Sequence, residues 1–328
     1  MGLSVKRFEF EKDESRWNVF LNHAKNQTFL FNRKFMDYHK DRFTDHSLMI
    51  FDEKENLIAC FPANEKDHTT ISSHSGLTYG AFIVEKKLKL PVIISVFQEI
   101  LKYFFNKGFE KIYYKAFPRI YNTIPSDEID YCLFIAEARL WRRDTAIVVN
   151  QSERIKTSGN NRREAKKAEK NGTFIEESHD FDRFWYNLLC PNLKERFGVS
   201  PVHNIDEITL LVNRFPESIK LYLTKSSENE MLAGAVFFLT ETVAHCQYIA
   251  ATDEGRKSGA LNLLFIKLMD DILPEKNYFD FGIVNENNGM KLNYGMLSWK
   301  ERMGGRTISH DFYEIATKNF SNLEKILT

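Results

Sequence analysis

Three side chains in the last third of the chain have types and surroundings suited to catalysis: Lys300, Asp280 and Tyr248. Asp280 follows an aromatic residue in the apolar run Tyr278–Ile283, Tyr248 lies in the apolar run Val243–Ala251, and Lys300 stands between Trp299 and Glu301 just before Met303-Gly304-Gly305. A lysine in a water-poor cleft stabilises negative charge that develops during a reaction. The same residue beside a glutamate on a surface is an ordinary ion pair, and an aspartate at a strand end also forms turns. Between these positions lies Gly255-Arg256-Lys257-Ser258-Gly259, a basic turn that offers backbone N–H groups and two cations to phosphate at the start of a helix. A plain surface connection would contain the same glycines. Asn285, Glu286 and Asn287, followed by Asn288-Gly289, supply amide and carboxylate groups that can hydrogen-bond sugar hydroxyls or amides.

Positioning these groups requires strands and helices in a fixed order. The pattern predicts strands at Val243–Ala251 and Tyr278–Ile283 with a helix from Leu261 to Ile272 between them. Loops that follow the carboxyl ends of neighbouring strands in an α/β sheet face one crevice, so the 255–259 and 285–289 turns are expected to border the same cleft. Leu221–Thr224 and Met231–Leu239 read as a hairpin ahead of them.

The first half repeats this order. Ser47–Phe51 and Leu57–Phe61 read as a hairpin, Pro91–Phe105 as a helix ended by Lys107-Gly108, and Ile112–Phe117 as the next strand. Arg142-Arg143-Asp144-Thr145 before Ala146–Val149 parallels Arg306-Thr307 before Ile308–Ala316. Hairpin, strand, helix, strand and strand in both halves imply two copies of one α/β module, 1–150 and 151–328. In the first copy, Ser73–Gly80 (SHSGLTYG) occupies the place of the basic turn but has no cation. His74 and Tyr79 there suit an acceptor substrate better than a phosphate, and His203, in the polar turn Arg196–His203, is a further candidate contact. That turn reads equally well as a plain helix connection.

Composition limits the possible functions. With 45 Lys and Arg against 45 Asp and Glu, the chain has no global field for nucleic acid or an anionic membrane. Its 28 Phe and 13 Tyr imply aromatic-rich cores. The four cysteines are far apart and form no CxxC pair, which predicts reduced core residues and a cytoplasmic protein. The first residues lack the apolar core of a signal peptide, and Leu90–Phe97 is far short of a membrane span. No His, Cys or acidic spacing suggests a metal site, and neither G-x-S-x-G nor a Walker pattern occurs.

Between the copies, Ser158–Gly172 (SGNNRREAKKAEKNG) has strong helix propensity and gathers Arg162, Arg163, Lys166, Lys167 and Lys170 on one broad face. Such a face is either a solvated surface or an anchor for phosphates.

Several of these motifs resemble those of the Fem-type aminoacyltransferases and related FemAB-like proteins, which carry two copies of the GNAT acyltransferase fold. Arg162-Arg163 through Lys170-Asn171-Gly172 resembles the family's basic helix and turn. Phe279-Asp280-Phe281-Gly282 resembles its Tyr/Phe-Asp-Phe-Gly strand end. Asn287-Asn288-Gly289 and Trp299-Lys300-Glu301-Arg302-Met303-Gly304-Gly305 resemble its Asn-x-Gly turn and its aromatic-Lys-x-x-Phe-Gly ending.

The resemblance implies an α/β fold of two tandem GNAT-like modules, each a mixed, mostly antiparallel sheet flanked by helices. It also implies an acceptor side in the first module and a donor side in the second. Lys300 would face the cleft, the strand of Tyr248 would polarise a carbonyl, and Gly255, Arg256, Lys257, Ser258 and Gly259 would hold the phosphates of acyl-CoA. His74, Tyr79, His203, Asn285, Glu286, Asn287 and Trp299 would meet the acceptor. Two departures stand out. Arg256-Lys257-Ser258-Gly259-Ala260-Leu261 ends in Leu where the GNAT phosphate loop has Gly or Ala, and no heptad stretch supplies the coiled-coil hairpin of the tRNA-dependent enzymes.

Three readings follow from the resemblance and the residues together. The first is an acyl-CoA-dependent N-acyltransferase acting on an amino sugar or envelope precursor. The others are a Fem-type transferase that uses aminoacyl-tRNA, and a non-catalytic module that binds a glycan or protein.

Overall fold

The computed structural model describes residues 2–326, and the chain separates into two compact units. Unit 1 comprises the residues up to Asp144 together with those from Ser309 onward, and unit 2 runs from Thr145 to Ile308. The tail therefore belongs with the first unit, not with the second module as its sequence position suggested. Phe312–Ala316 pair antiparallel with Lys111–Lys115, and Ile315 and Leu323 pack into the unit 1 core.

Unit 1 has an antiparallel sheet in the order Ser4–Arg7, Leu48–Phe51, Leu57–Phe61, Ile83–Val84. A second ladder joins Lys111–Lys115 to Thr70–Ser72 in parallel, and then Asn64–Asp67 and Thr44–Asp45 antiparallel. Helix Leu90–Asn106 begins with Pro91 in its first turn, where a missing N–H costs nothing. It buries Ile93, Phe97, Ile100, Leu101 and Phe104, the three-and-four spacing of an amphipathic helix.

Unit 2 is built on one sheet. Its strands are β1 (Arg139–Asn150, in unit 2 from Thr145), β2 (Phe174–Ser178), β3 (Ile219–Lys225), β4 (Met231–Leu239), β5 (Val243–Ala251) and β6 (Tyr278–Ile283). They lie in the order β2-β3-β4-β5-β6-β1, antiparallel except for the parallel pair β5–β6. Its helices include α1 (Gly159–Lys170), α2 (Cys190–Phe197), α3 (Ile205–Arg214), α4 (Asp253–Ser258), α5 (Ala260–Lys267) and α6 (Tyr294–Arg302).

The basic segment forms α1 because Ser158 caps it by accepting from the Asn161 N–H, while Ala165 and Ala168 turn into the core. Phe265 of α5 is the hub of that core, in ring contact with Phe237, Phe279, Phe281 and Trp299. Among the described residues no helix is long and apolar enough to cross a membrane.

Candidate active site

A local break in pairing creates the site. Strand β5 pairs with β4 as far as Ala251, but with β6 only from Val243 to His245, opposite Tyr278 to Asp280. Beyond that rung the two parallel strands part, because β6 shifts register between Asp280 and Ile283 and Gly282 takes a left-handed φ of 74°. Among the described residues, the edge of β5 that faces away from β4 thus has no strand partner from Cys246 to Ala250, which leaves alternate backbone groups there for a ligand. A second irregularity, between Val236 and Phe237, makes Gln247 the extra residue of a bulge in β5 at the same level.

A cavity of about 460 Å³ opens along this edge. It is bordered by Gln247–Ala251 of β5, Asn160, Asn161 and Glu164 of α1, Asn192, Arg196 and Phe197 of α2, Arg256 of α4, and Met296, Trp299, Lys300 and Arg302 of α6. Four cations border it against one carboxylate, Glu164, so the lining favours an anionic ligand.

Helix α6 starts at Asn293, whose side chain accepts from the Met296 N–H, and its last turn carries Lys300 into the gap between the strands. Lys300 is 5% exposed and its Nζ donates to the Gly282 carbonyl at 3.0 Å and the Ile283 carbonyl at 3.1 Å. Burial lowers its pKa to about 8, while nearby Cys246 and Asp280 pull it back up. Burial also pushes the Cys246 thiol up to about 12, which leaves it a protonated packing group and not a nucleophile.

Asp280 holds the other side of the gap. Its Oδ1 accepts from the Gly282 N–H at 2.7 Å, and its Oδ2 lies 2.8 Å from His245 Nδ1. A carboxylate partner fixes the proton on Nδ1, which leaves the Nε2 lone pair to accept a proton. Gly282 adds to the fit, since a Cβ there would lie 3.6 Å from His245 Cε1. His245 carries no local signal in the sequence. Its pairing with a residue 35 positions away depends on strand register.

Tyr248 borders the cavity, but its hydroxyl is engaged by His203 through Nδ1 at 2.6 Å and the backbone N–H at 3.2 Å. His203 is itself buried and accepts from Trp185 Nε1 through its carbonyl, so the pair braces β5 against the turn before α3. Trp299 borders the cavity and donates from Nε1 to Asn262 Oδ1, and Asn262 in turn donates to Glu164. Asn192, also unanticipated, donates to the Ala251 carbonyl.

The 255–259 segment is a helical turn and not an open loop. The Thr252 side chain accepts from the Gly255 N–H, and Arg256 donates to the Ala251 carbonyl and to Asp253. Asp253 and Glu254 occupy the first turn, where negative side chains already satisfy the helix dipole. Gly259 takes a φ of 85° and packs against the α1 backbone, where a Cβ would lie 2.5 Å from the Glu164 carbonyl oxygen. Of this segment, Arg256 borders the cavity.

Asn285, Glu286 and Asn287 shape a small hairpin. Asn285 accepts from the Thr145 N–H and donates to the Gly289 carbonyl, and Glu286 accepts from Lys291 and Asn293. Asn287 and Asn288 adopt left-handed φ values of 50° and 51° in its turn. In unit 1, His74 and Tyr79 are interior. Tyr79 Oη donates to Thr28 Oγ1 at 3.1 Å, and burial keeps the His74 imidazole well below its usual pKa. Among the described residues no three His, Cys, Asp or Glu side chains gather as metal ligands would.

Comparison with known proteins places this geometry. A family model described as an acetyltransferase (GNAT) domain matches residues 156–294, which lie wholly in unit 2. No curated protein sequence matches the chain. Among solved structures, FemX aligns with a TM-score of 0.66 at 12% identity, covering 98% of this chain and 100% of FemX. L-PGS from Bacillus licheniformis aligns at 0.60 and 12% identity, covering 98% and 99%. The C-terminal domain of a putative lysylphosphatidylglycerol synthetase from Agrobacterium fabrum aligns at 0.57 and 11%, covering 96% and 95%. At these identities the likeness is one of fold. The parted parallel strands lie inside the segment that matches the GNAT domain model, and the chain as a whole shares the mixed α/β fold of FemX.

Proposed function

We propose that unit 2 transfers an acyl group from acyl-CoA to an amine, such as that of an amino sugar or envelope precursor. The observation that carries this reading is the cavity along the unpaired edge of β5, with Lys300 and the His245–Asp280 pair at the point where the strands part. The reaction joins the amine nitrogen to the thioester carbonyl carbon and breaks the carbon–sulfur bond. It needs an oxyanion donor, an acceptor for the amine proton and a proton for the leaving thiolate. Backbone N–H groups on the open edge of β5 take the first role, as preorganised dipoles that need not reorient during the reaction. His245 Nε2 takes the second, with Asp280 stabilising the imidazolium. The Lys300 ammonium, its pKa lowered to about 8, takes the third, or stabilises the departing charge.

Donor phosphates are met by side chains rather than by loop amides, since the Gly255 N–H and Arg256 already have internal partners. Arg196 and Arg302 at the cavity border are the cations placed for this.

One observation favours a second reading, in which aminoacyl-tRNA is the donor. Arg162, Arg163, Lys166, Lys167 and Lys170 of α1 are exposed, and among the described residues they form no ion pair with a carboxylate. Such a face suits a polyanion. Melting shifts with a panel of acyl-CoA thioesters, compared with retention of charged tRNA at increasing salt, separate the two readings. Stabilisation by one thioester at ordinary salt, with no tRNA retention, supports acyl-CoA; the reverse pattern supports tRNA.

A further inference from the structure

Glu164, the one carboxylate in the cavity lining, shares it with four cations and among the described residues pairs with none of them. Its Oε1 accepts from Asn160 Nδ2 at 2.7 Å, one turn back on α1, and its Oε2 accepts from Asn262 Nδ2 at 2.5 Å. Asn262, on α5, is 7% exposed, and its Oδ1 accepts from Trp299 Nε1 at 3.0 Å. Asn160, Glu164, Asn262 and Trp299 all border the cavity, so these hydrogen bonds tie together one stretch of its wall.

The chain of bonds has a fixed direction. A carboxylate only accepts and an indole N–H only donates. Glu164 therefore holds the Asn262 amide with its NH2 towards α1 and its oxygen towards α6, since the flipped amide would set donor against donor and acceptor against acceptor. The reach of Glu164 is set by backbone contact, because Gly259, just before α5, approaches so closely that a Cβ there would lie 2.5 Å from the Glu164 carbonyl oxygen.

The indole is also held by its rings. It meets Phe265 and Phe281 edge-on, with centres 5.1 and 5.6 Å apart. Lys300 is the next residue on α6 and also borders the cavity, so the indole stands beside the ammonium assigned to the departing thiolate. To make room for a longer chain the indole would have to leave Asn262. The amide and the carboxylate behind it would then lose partners in a wall that water reaches poorly, which is unfavourable.

We propose that Glu164 and Asn262 are positioning residues that lock the Trp299 indole as the wall of the acyl end of the cavity, and that this wall restricts the transferred group to a short acyl chain. The size limit rests on the acyl-transfer reading above.

The test is calorimetric titration of the whole protein with acetyl-, butyryl- and octanoyl-CoA. Wild type is expected to bind the acetyl thioester roughly tenfold or more tightly than the octanoyl thioester, with butyryl between them, and Trp299→Ala to lose or reverse that order. Asn262→Asp sets a second carboxylate against Glu164 and should also lose it. Adding Glu164→Gln should restore it, because the new glutamine amide donates to the new aspartate, which still accepts from the indole N–H. Melting temperatures are read alongside, since residues that served only packing would move the melting temperature and leave the chain-length order alone. Octanoyl binding as tight as acetyl binding in the wild type, an unchanged order in Trp299→Ala, or no rescue in the double variant would each overturn the size limit set by this wall while leaving acyl transfer from CoA in place. Failure of all three thioesters to bind would overturn the acyl-CoA reading itself, and the size limit with it.

Discussion

His245 and Asp280 face each other across the last rung of the parallel β5–β6 ladder, with Nδ1 and Oδ2 2.8 Å apart, one residue before the strands separate. The pair therefore lies at the apex of the gap, where the register is fixed by strand pairing and Lys300 fills the space beyond. A base held this way keeps one tautomer and one ring orientation, as general-base chemistry requires.

Replacing His245 by Gln is expected to lower turnover by roughly 100- to 10,000-fold, and Asp280→Asn by roughly 100-fold, with melting temperatures as folding controls. If both variants turn over like the wild type, the amine proton leaves by another route.

Lys300→Met separates three roles. A loss in turnover of roughly 100-fold with unchanged Michaelis constants marks charge stabilised only in the transition state. A raised donor constant with normal turnover marks a phosphate contact, and no change in either marks packing. The wild-type rate should also fall as pH rises through about 8, where the ammonium loses its proton, and this limb should be missing from the variant's profile.

The same lysine affects stability with a definite sign. Its folded pKa, about 8, lies below the ordinary 10.5, so between these values the unfolded chain binds more protons than the folded one. Wild type should therefore gain stability relative to Lys300→Met as pH rises from about 8 towards 10.5, and show no further change outside that window. Chemical denaturation of both proteins across this range checks it.

Arg196→Ala with Arg302→Ala should raise the Michaelis constant for donor more than for acceptor, by at most about 1.5 to 3 kcal/mol per charged hydrogen bond lost. Arg256→Ala with Lys257→Ala should act less on the donor and more on the melting temperature, because Arg256 holds the Ala251 carbonyl and Asp253. A donor effect confined to the second pair would return the phosphates to the α4 turn.

Gly255→Ala tests how tightly α4 is seated, since a Cβ there would lie 2.0 Å from the Leu232 carbonyl oxygen. Backbone must move to admit it, and a loss of roughly 3 kcal/mol or more is expected in denaturant titrations. A neutral result would mean that α4 is free to rearrange.

Local structure can be read directly from the chain. Met231–Leu239, Val243–Ala251 and Tyr278–Ile283 are apolar runs bounded by polar turns, and each is a strand over those residues. Ser158 followed by the Ala-, Lys- and Glu-rich run is α1, because capping and propensity act within a few residues. The GNAT-like order of elements was legible for the same reason. Even the turn of α4 had a local signal, Thr252 ahead of Asp253 and Glu254, that the glycines obscured. Which distant residues meet depends instead on how the elements pack. His245 finds Asp280 because β5 and β6 pair in one register, and Lys300 is buried because α6 drops into the gap that a left-handed Gly282 opens. The segment after Ser309 joins unit 1 by pairing with Lys111–Lys115. Register, strand parting and burial depend on contacts between elements far apart in the chain, and no window of neighbouring residues encodes them.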